Sequence, residues 1–177
     1  MLRTLLDRLY LSAGIAAGAC LVLMALLILA QIVGRWFGVI IPSTEDFSGF
    51  LLAAASFLAL AYTLRSGGHI RVNLLVSHLH GRTRFAAELL VLNIGVALAL
   101  YPAWWCAFLA IESYQFEEVS SGYIPVPLWI PQIPMGMGLA ILAVALLDEL
   151  GLLLRGREPH YLRHDEAAVS PITEHGE

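Results

Sequence analysis

The 177-residue chain contains few charged residues and no lysine. Charged residues make up 14% of it, whereas roughly 25% is usual in soluble domains, and all ten basic residues are arginines. Hydrophobic residues account for 59%. A soluble domain with a charged surface cannot be built from this composition. The formal net charge of −4 does not identify a partner, because the positions of the charges matter more than their sum.

Charge is missing altogether from four long stretches, at residues 9–34, 47–64, 89–111 and 119–147. About 20 apolar helical residues, at ~1.5 Å rise each, cross a hydrocarbon layer ~30 Å thick. The sequence therefore predicts an all-α fold, an integral membrane bundle of four transmembrane helices. We expect one transmembrane domain over residues 1–157 and a polar, disordered tail over residues 158–177.

Residues that carry chemistry are also missing from these stretches. Cys20 and Cys106 lie inside them and are interpreted as small packing residues, whereas all six histidines lie outside, so axial ligands for a buried haem are lacking. No Asp or Glu falls within a stretch, although a proton-exchanging exporter needs one there. The sequence predicts a protein that is not an enzyme, with no catalytic residue, cofactor or metal site. A membrane-embedded enzyme and a self-sufficient small transporter remain as alternatives.

The arginines predict the orientation of the chain. Nine of the ten lie before the first stretch, between the second and third, or after the fourth, and only Arg35 lies in the other two loops. Short loops rich in arginine stay in the cytoplasm. Both termini and the second loop are therefore predicted to be cytoplasmic.

That second loop begins with two adjacent glycines. Gly67 and Gly68 suit a sharp exit from the second helix, and His69 and Arg71 follow among aliphatic residues. This mixture is too polar to cross the membrane. It predicts that the connection between the second and third helices contains a short amphipathic segment, which lies along the cytoplasmic surface of the membrane.

Small residues mark candidate contact faces. Gly14 and Gly18 are four residues apart in the first stretch, and Gly136, with Gly138 and Ala140, lies in the fourth. Such residues let helix backbones approach closely. The contact could be within the bundle or with a partner subunit, and the spacing does not decide between them.

The first loop carries a second set of candidates. Glu45 and Asp46 follow Pro42 directly, at the expected start of the second helix. They are interpreted either as first-turn carboxylates of a capped helix or as ion-pair partners of Arg35. Trp129, which opens the fourth helix, suits the outer membrane interface.

Four sequence motifs resemble those of a known family. They are Gln31-Ile-Val-Gly-Arg35, Thr44-Glu45-Asp46, Gly67-Gly-His-Ile-Arg-Val-Asn73 and Ile124-Pro-Val-Pro-Leu-Trp129. Over roughly residues 5–154 the chain resembles the small membrane subunit, of the DctQ type, of tripartite ATP-independent periplasmic (TRAP) transporters. It departs from the family at Asn73, where Asp is frequent, and at Asp46, where a second Glu is usual.

The resemblance implies a function, whereas the spacing of apolar and charged residues alone predicts only a non-catalytic bundle of four membrane-spanning helices. It implies a multi-pass protein of the bacterial or archaeal inner membrane, in a complex that imports an organic acid together with sodium. Its partners would be membrane lipids, a large multi-span permease subunit and an extracytoplasmic substrate-binding protein, and not nucleic acid. The chain itself would be a non-catalytic scaffold for the large subunit.

Overall fold

A computed structural model describes residues 2–65 and 82–155 of the chain. Within these ranges it has four helices: α1 (Leu2–Trp36), α2 (Thr44–Arg65), α3 (Arg82–Gln115) and α4 (Trp129–Leu154). All four are long and apolar enough to cross a membrane. The predicted all-α fold with four transmembrane helices is confirmed. In the described part of the chain, extended pairing is limited to one isolated bridge between Val119 and Pro127.

α1, α2 and α3 extend beyond the uncharged stretches from which they were predicted, whereas α4 begins at Trp129, well after the start of its stretch at residue 119, and ends beyond it at Leu154. α1 has 35 residues and α3 has 34, so both carry charged residues near their ends. As a result, Glu88 of α3 and Glu149 of α4 are buried inside the protein. The Glu88 carboxylate accepts a hydrogen bond from Arg84 Nε, one turn earlier, at 2.9 Å. The expectation of helices without acidic groups thus holds for the uncharged stretches but not for the whole helices.

The four helices pack as an open layer rather than as a closed bundle. α1 packs against α2, α2 against α4, and α4 against α3, whereas α1 and α4 barely touch. The spatial order is therefore α1–α2–α4–α3, with α1 and α3 at the two edges. Each edge helix has a broad face that the other described residues do not cover.

Small residues bring neighbouring helices close together along this layer. The backbone of Gly138 in α4 lies directly against the backbone of Phe57 in α2, where a Cβ would come within 2.8 Å of Leu58 N. Buried alanines, including Ala61 in α2, Ala99 in α3 and Ala143 in α4, continue the contact. Such side chains leave room for the backbones to approach, which is how membrane helices gain packing energy without a hydrophobic driving force.

The layer has two different ends. The loop end carries the connections at residues 37–43 and 116–128, and the terminus end carries the start of α1, the end of α2, the start of α3 and the end of α4. The predicted amphipathic segment and the predicted tail at residues 158–177 lie outside the described residues.

Candidate contact surfaces and the loop-end cleft

The two connections at the loop end are tied to each other. The Ser43 hydroxyl accepts a hydrogen bond from the Ile124 backbone N–H at 2.8 Å. Ser43 has a positive φ of 55°, which is uncommon for a residue other than glycine and requires support from its surroundings. Gly122 lies against the Asp46 carboxylate so closely that a Cβ on Gly122 would overlap it. These contacts join the α1–α2 loop to the α3–α4 loop, although they are far apart in the sequence.

The α3–α4 loop is itself held by a small polar cluster. Ser113, only 2% exposed, donates its hydroxyl hydrogen to Glu118 Oε2 at 2.8 Å and accepts a hydrogen bond from Gln132 Nε2 at 3.2 Å. Backbone hydrogen bonds from Ser120 N to Val126 O and from Leu128 N to Glu118 O close the loop. Side chains from α3, the loop and α4 therefore meet at one point. This cluster makes the loop end a defined surface.

An open cleft of about 670 Å³ lies beside these tied loops. It is lined by Gln31, Ile40, Ile41, Pro42, Ser43, Thr44, Glu45, Asp46 and Tyr123. Two carboxylates and an exposed tyrosine make the cleft suitable for a cationic group, because an ionised carboxylate forms short, strong hydrogen bonds with arginine or lysine.

Two of the predicted residues of the first loop, Glu45 and Asp46, line this cleft, but within the described ranges neither forms an ion pair with Arg35. Glu45 and Asp46 occupy the first turn of α2, where the helix dipole favours negative charge. Arg35 lies exposed in the last turn of α1 and, within the described ranges, forms no ion pair with either carboxylate. The helix-start interpretation fits this geometry. The Ser43 hydroxyl accepts its hydrogen bond from Ile124 in the other loop, so it does not cap α2.

The candidate glycines divide into two groups. Gly14 packs on the Tyr62 ring of α2, where a Cβ would lie 3.0 Å from Tyr62 Cγ, and Gly136 packs on Cys106 of α3 at 3.3 Å. At Gly18, none of the described residues lies within 4 Å of the corresponding position. The first two serve packing within the chain, whereas Gly18 lies on the uncovered side of α1. Gly138 makes the closest contact of the set.

Trp129 begins α4 at the loop end, with its ring edge-to-face against Tyr114 at a centroid distance of 6.0 Å. The candidates Gly67, Gly68, His69 and Arg71 lie outside the described residues. Among the residues that the structure describes, no three His, Cys, Asp or Glu side chains are grouped so as to hold a metal ion.

Sequence reasoning missed the Ser113–Glu118–Gln132 cluster. A serine inside an apolar helix carries no local signal of its partner, and Gln132 is 19 residues further along the chain. It also missed the buried Glu88, whose spacing from Arg84 is the one readable signal, because a four-residue separation places two side chains on one helix face.

Comparison with known families gives one match. The family described as "Tripartite ATP-independent periplasmic transporters, DctQ component" matches residues 24–156, which is most of the chain and includes α2, α3 and α4 entirely. A comparison with curated proteins found no match, and neither did a comparison with solved structures.

Proposed function

Because the chain belongs to the DctQ family of TRAP transporter components, we propose that it is the small permease subunit of a sodium-coupled, binding-protein-dependent transporter for an organic acid. As a member of that family with four membrane-spanning helices, it is a multi-pass protein of the inner membrane. Its proposed role is that of a non-catalytic scaffold, which braces a large permease subunit on a separate chain.

The open layer of helices is the observation that best supports a scaffold role. A four-helix protein that worked alone would be expected to enclose its polar groups between its helices, whereas here α1 and α3 stand at opposite edges, each with an uncovered face. The hydrogen bond between the two loops and the close glycine contacts hold neighbouring helices together. A connected layer with uncovered edges suits bracing a moving partner.

The loop end supports a second part of the proposal, docking of the substrate-binding protein. The arginine distribution predicts that this end faces away from the cytoplasm, because Arg8, Arg84 and Arg155 lie at the terminus end and only Arg35 at the loop end. The cleft with Glu45 and Asp46 would then face the compartment in which that protein diffuses. Its carboxylates would receive basic side chains of the binding protein.

Reconstitution tests this function. The chain, the large permease subunit and the binding protein are placed in vesicles with a sodium gradient, and uptake of radiolabelled organic acids is measured with each component omitted in turn. We expect uptake only when all three proteins and the gradient are present. Uptake by this chain alone would instead indicate a self-sufficient transporter, and failure of the chain to form a complex with the large subunit would refute the proposal.

A further inference from the structure

The uncovered side of α3 carries an aromatic face made of Tyr101, Trp104, Trp105 and Phe108. Tyr101 is 68% exposed and Trp104 is 73% exposed. Trp105 stacks edge-to-face with both Tyr101 and Phe108, at centroid distances of 6.3 and 5.7 Å. Tyr101, Trp105 and Phe108 thus form one continuous strip along the helix, and Trp104, next to Trp105 in the sequence, is the most exposed of the four.

The aromatic face is level with the middle of α2, which as a membrane-spanning helix would place it near the centre of the bilayer. Phe57 is near the centre of the uncharged stretch of α2, and Gly138 of α4 lies directly against it. Gly136, two residues before Gly138, lies against Cys106 of α3. Trp104 and Trp105 immediately precede Cys106, so they are level with the middle of α2. Tyrosine and tryptophan normally collect at the two membrane interfaces instead, where their polar atoms reach water.

The aromatic face carries polar groups for which the described residues provide no hydrogen-bond partner. In the described part of the protein, the Tyr101 hydroxyl and the indole N–H groups of Trp104 and Trp105 have no hydrogen-bond partner. Pro102 has no N–H, so the carbonyl of the exposed Leu98 also lacks its usual helical donor. Hydrocarbon offers no hydrogen bond, so leaving such groups unpaired there is unfavourable.

The other edge helix has the opposite character. From Ala13 to Ala30, α1 contains only Ala, Gly, Leu, Ile, Val, Met and Cys, and its exposed side chains there are apolar. Val22, which is 60% exposed, is typical of this side. Such a surface is already suited to lipid tails, so nothing in its chemistry calls for a protein partner.

We propose that the aromatic face of α3 is the surface that receives a transmembrane helix of the large permease subunit, and that the outer side of α1 faces lipid. The helix received here would present acceptors, such as serine or threonine hydroxyls or amide carbonyls, to the Tyr101 hydroxyl and the two indole N–H groups, because hydrogen bonds between helices are the available way to satisfy them at this depth. The choice of partner rests on the proposed function, whereas the choice of face rests on depth and exposure.

Site-specific photo-crosslinking tests this assignment. A benzophenone amino acid replaces Trp104 in one variant and Val22 in a matched control, since both positions are exposed and lie near the same depth. Each variant is co-expressed with the tagged large permease subunit, irradiated in membranes and analysed for a covalent adduct of the two chains. We expect an adduct from position 104 and none from position 22.

The outcomes separate the two proposals. Recovery of the unmodified chain with the tagged subunit is measured first, and failure of this step overturns both the proposed function and the docking face. If the complex is recovered but position 104 gives no adduct, or if position 22 gives one instead, the docking face is wrong and the proposed function stands.

A second variant tests the hydrogen bonds. Tyr101→Phe combined with Trp104→Phe keeps aromatic rings but removes a hydroxyl and an indole N–H. We expect the recovered complex to fall about threefold or more, as for loss of interhelical hydrogen bonds, while the melting temperature of the isolated chain is unchanged. Val22→Ala is the control and should leave recovery unchanged. Equal recovery for the double variant and the control would overturn the proposed role of these groups.

Discussion

At the scale of single residues, the structure predicts that alanine substitutions at different glycines change the stability of the chain by different amounts, which the sequence alone does not indicate. We expect Gly138→Ala to destabilise the isolated chain by about 1–3 kcal/mol, because the new methyl group would overlap the Phe57 backbone, which cannot move as a flexible side chain can. Gly18→Ala should change the stability by no more than about 0.5 kcal/mol, because its site is open. Thermal unfolding of both variants in the same detergent measures this. Equal melting temperatures would contradict the close helix contact.

Arg35 leads to a second prediction at this scale. Because Arg35 is exposed and forms no ion pair with Glu45 or Asp46 within the described ranges, Arg35→Glu should change the stability of the isolated chain by no more than about 0.5 kcal/mol. If it also lowers recovery of the complex with the large subunit or the binding protein, Arg35 contacts a partner. If Arg35→Glu instead lowers the stability of the isolated chain clearly, and Glu45→Arg restores it, Arg35 and Glu45 form an ion pair after all.

At the scale of elements, two connections depend on single hydroxyl groups. Ser113→Ala removes the hydroxyl that joins α3, Glu118 and Gln132, and it leaves the Gln132 amide without this acceptor in a partly buried position. We expect a loss of about 1–3 kcal/mol, the usual cost of a buried unsatisfied group. Ser12→Ala on α1 is the control, because the Ser12 hydroxyl is exposed and bonds only to Leu9 of its own helix. Similar unfolding temperatures for both variants would contradict the role of the cluster.

The junction between the loops gives the corresponding prediction for the cleft. Ser43→Ala deletes the acceptor for the Ile124 N–H, so the α3–α4 loop should open its hydrogen bonds more often. Hydrogen–deuterium exchange should increase in residues 122–126 and remain unchanged in the middle of α4. Unchanged exchange in both regions would show that the two loops are held together by other contacts.

At the scale of the whole molecule, the predicted orientation has a direct test. Ser121→Cys, in the exposed α3–α4 loop, should react with a membrane-impermeant maleimide added to intact cells, and Arg82→Cys should react only after the cells are opened. The physical reason is the concentration of arginines at the terminus end. Labelling of position 82 in intact cells, without labelling of position 121, would reverse the orientation and place the acidic cleft in the cytoplasm.

Much of the architecture could be predicted from residues that act locally. Each of the four uncharged stretches holds one membrane-spanning helix, because hydrophobic length is a property of one segment, although the fourth helix begins at Trp129 rather than at residue 119. The candidate surface could be predicted only in part. Glu45 and Asp46 were correctly placed at the start of α2, but their neighbour turned out to be Gly122 from a distant loop, and no local pattern indicates that contact.

The sequence by itself determined the membrane-spanning helices and the family, because both depend on composition and on motifs read along the chain. Only the tertiary structure decided which faces are covered. Gly14 and Gly18 belong to one four-residue spacing, yet Gly14 packs on Tyr62 and Gly18 remains open. The order α1–α2–α4–α3 explains the uncovered aromatic side of α3. That order depends on how surfaces distant in the chain fit together, and periodicity within one helix contains no information about it.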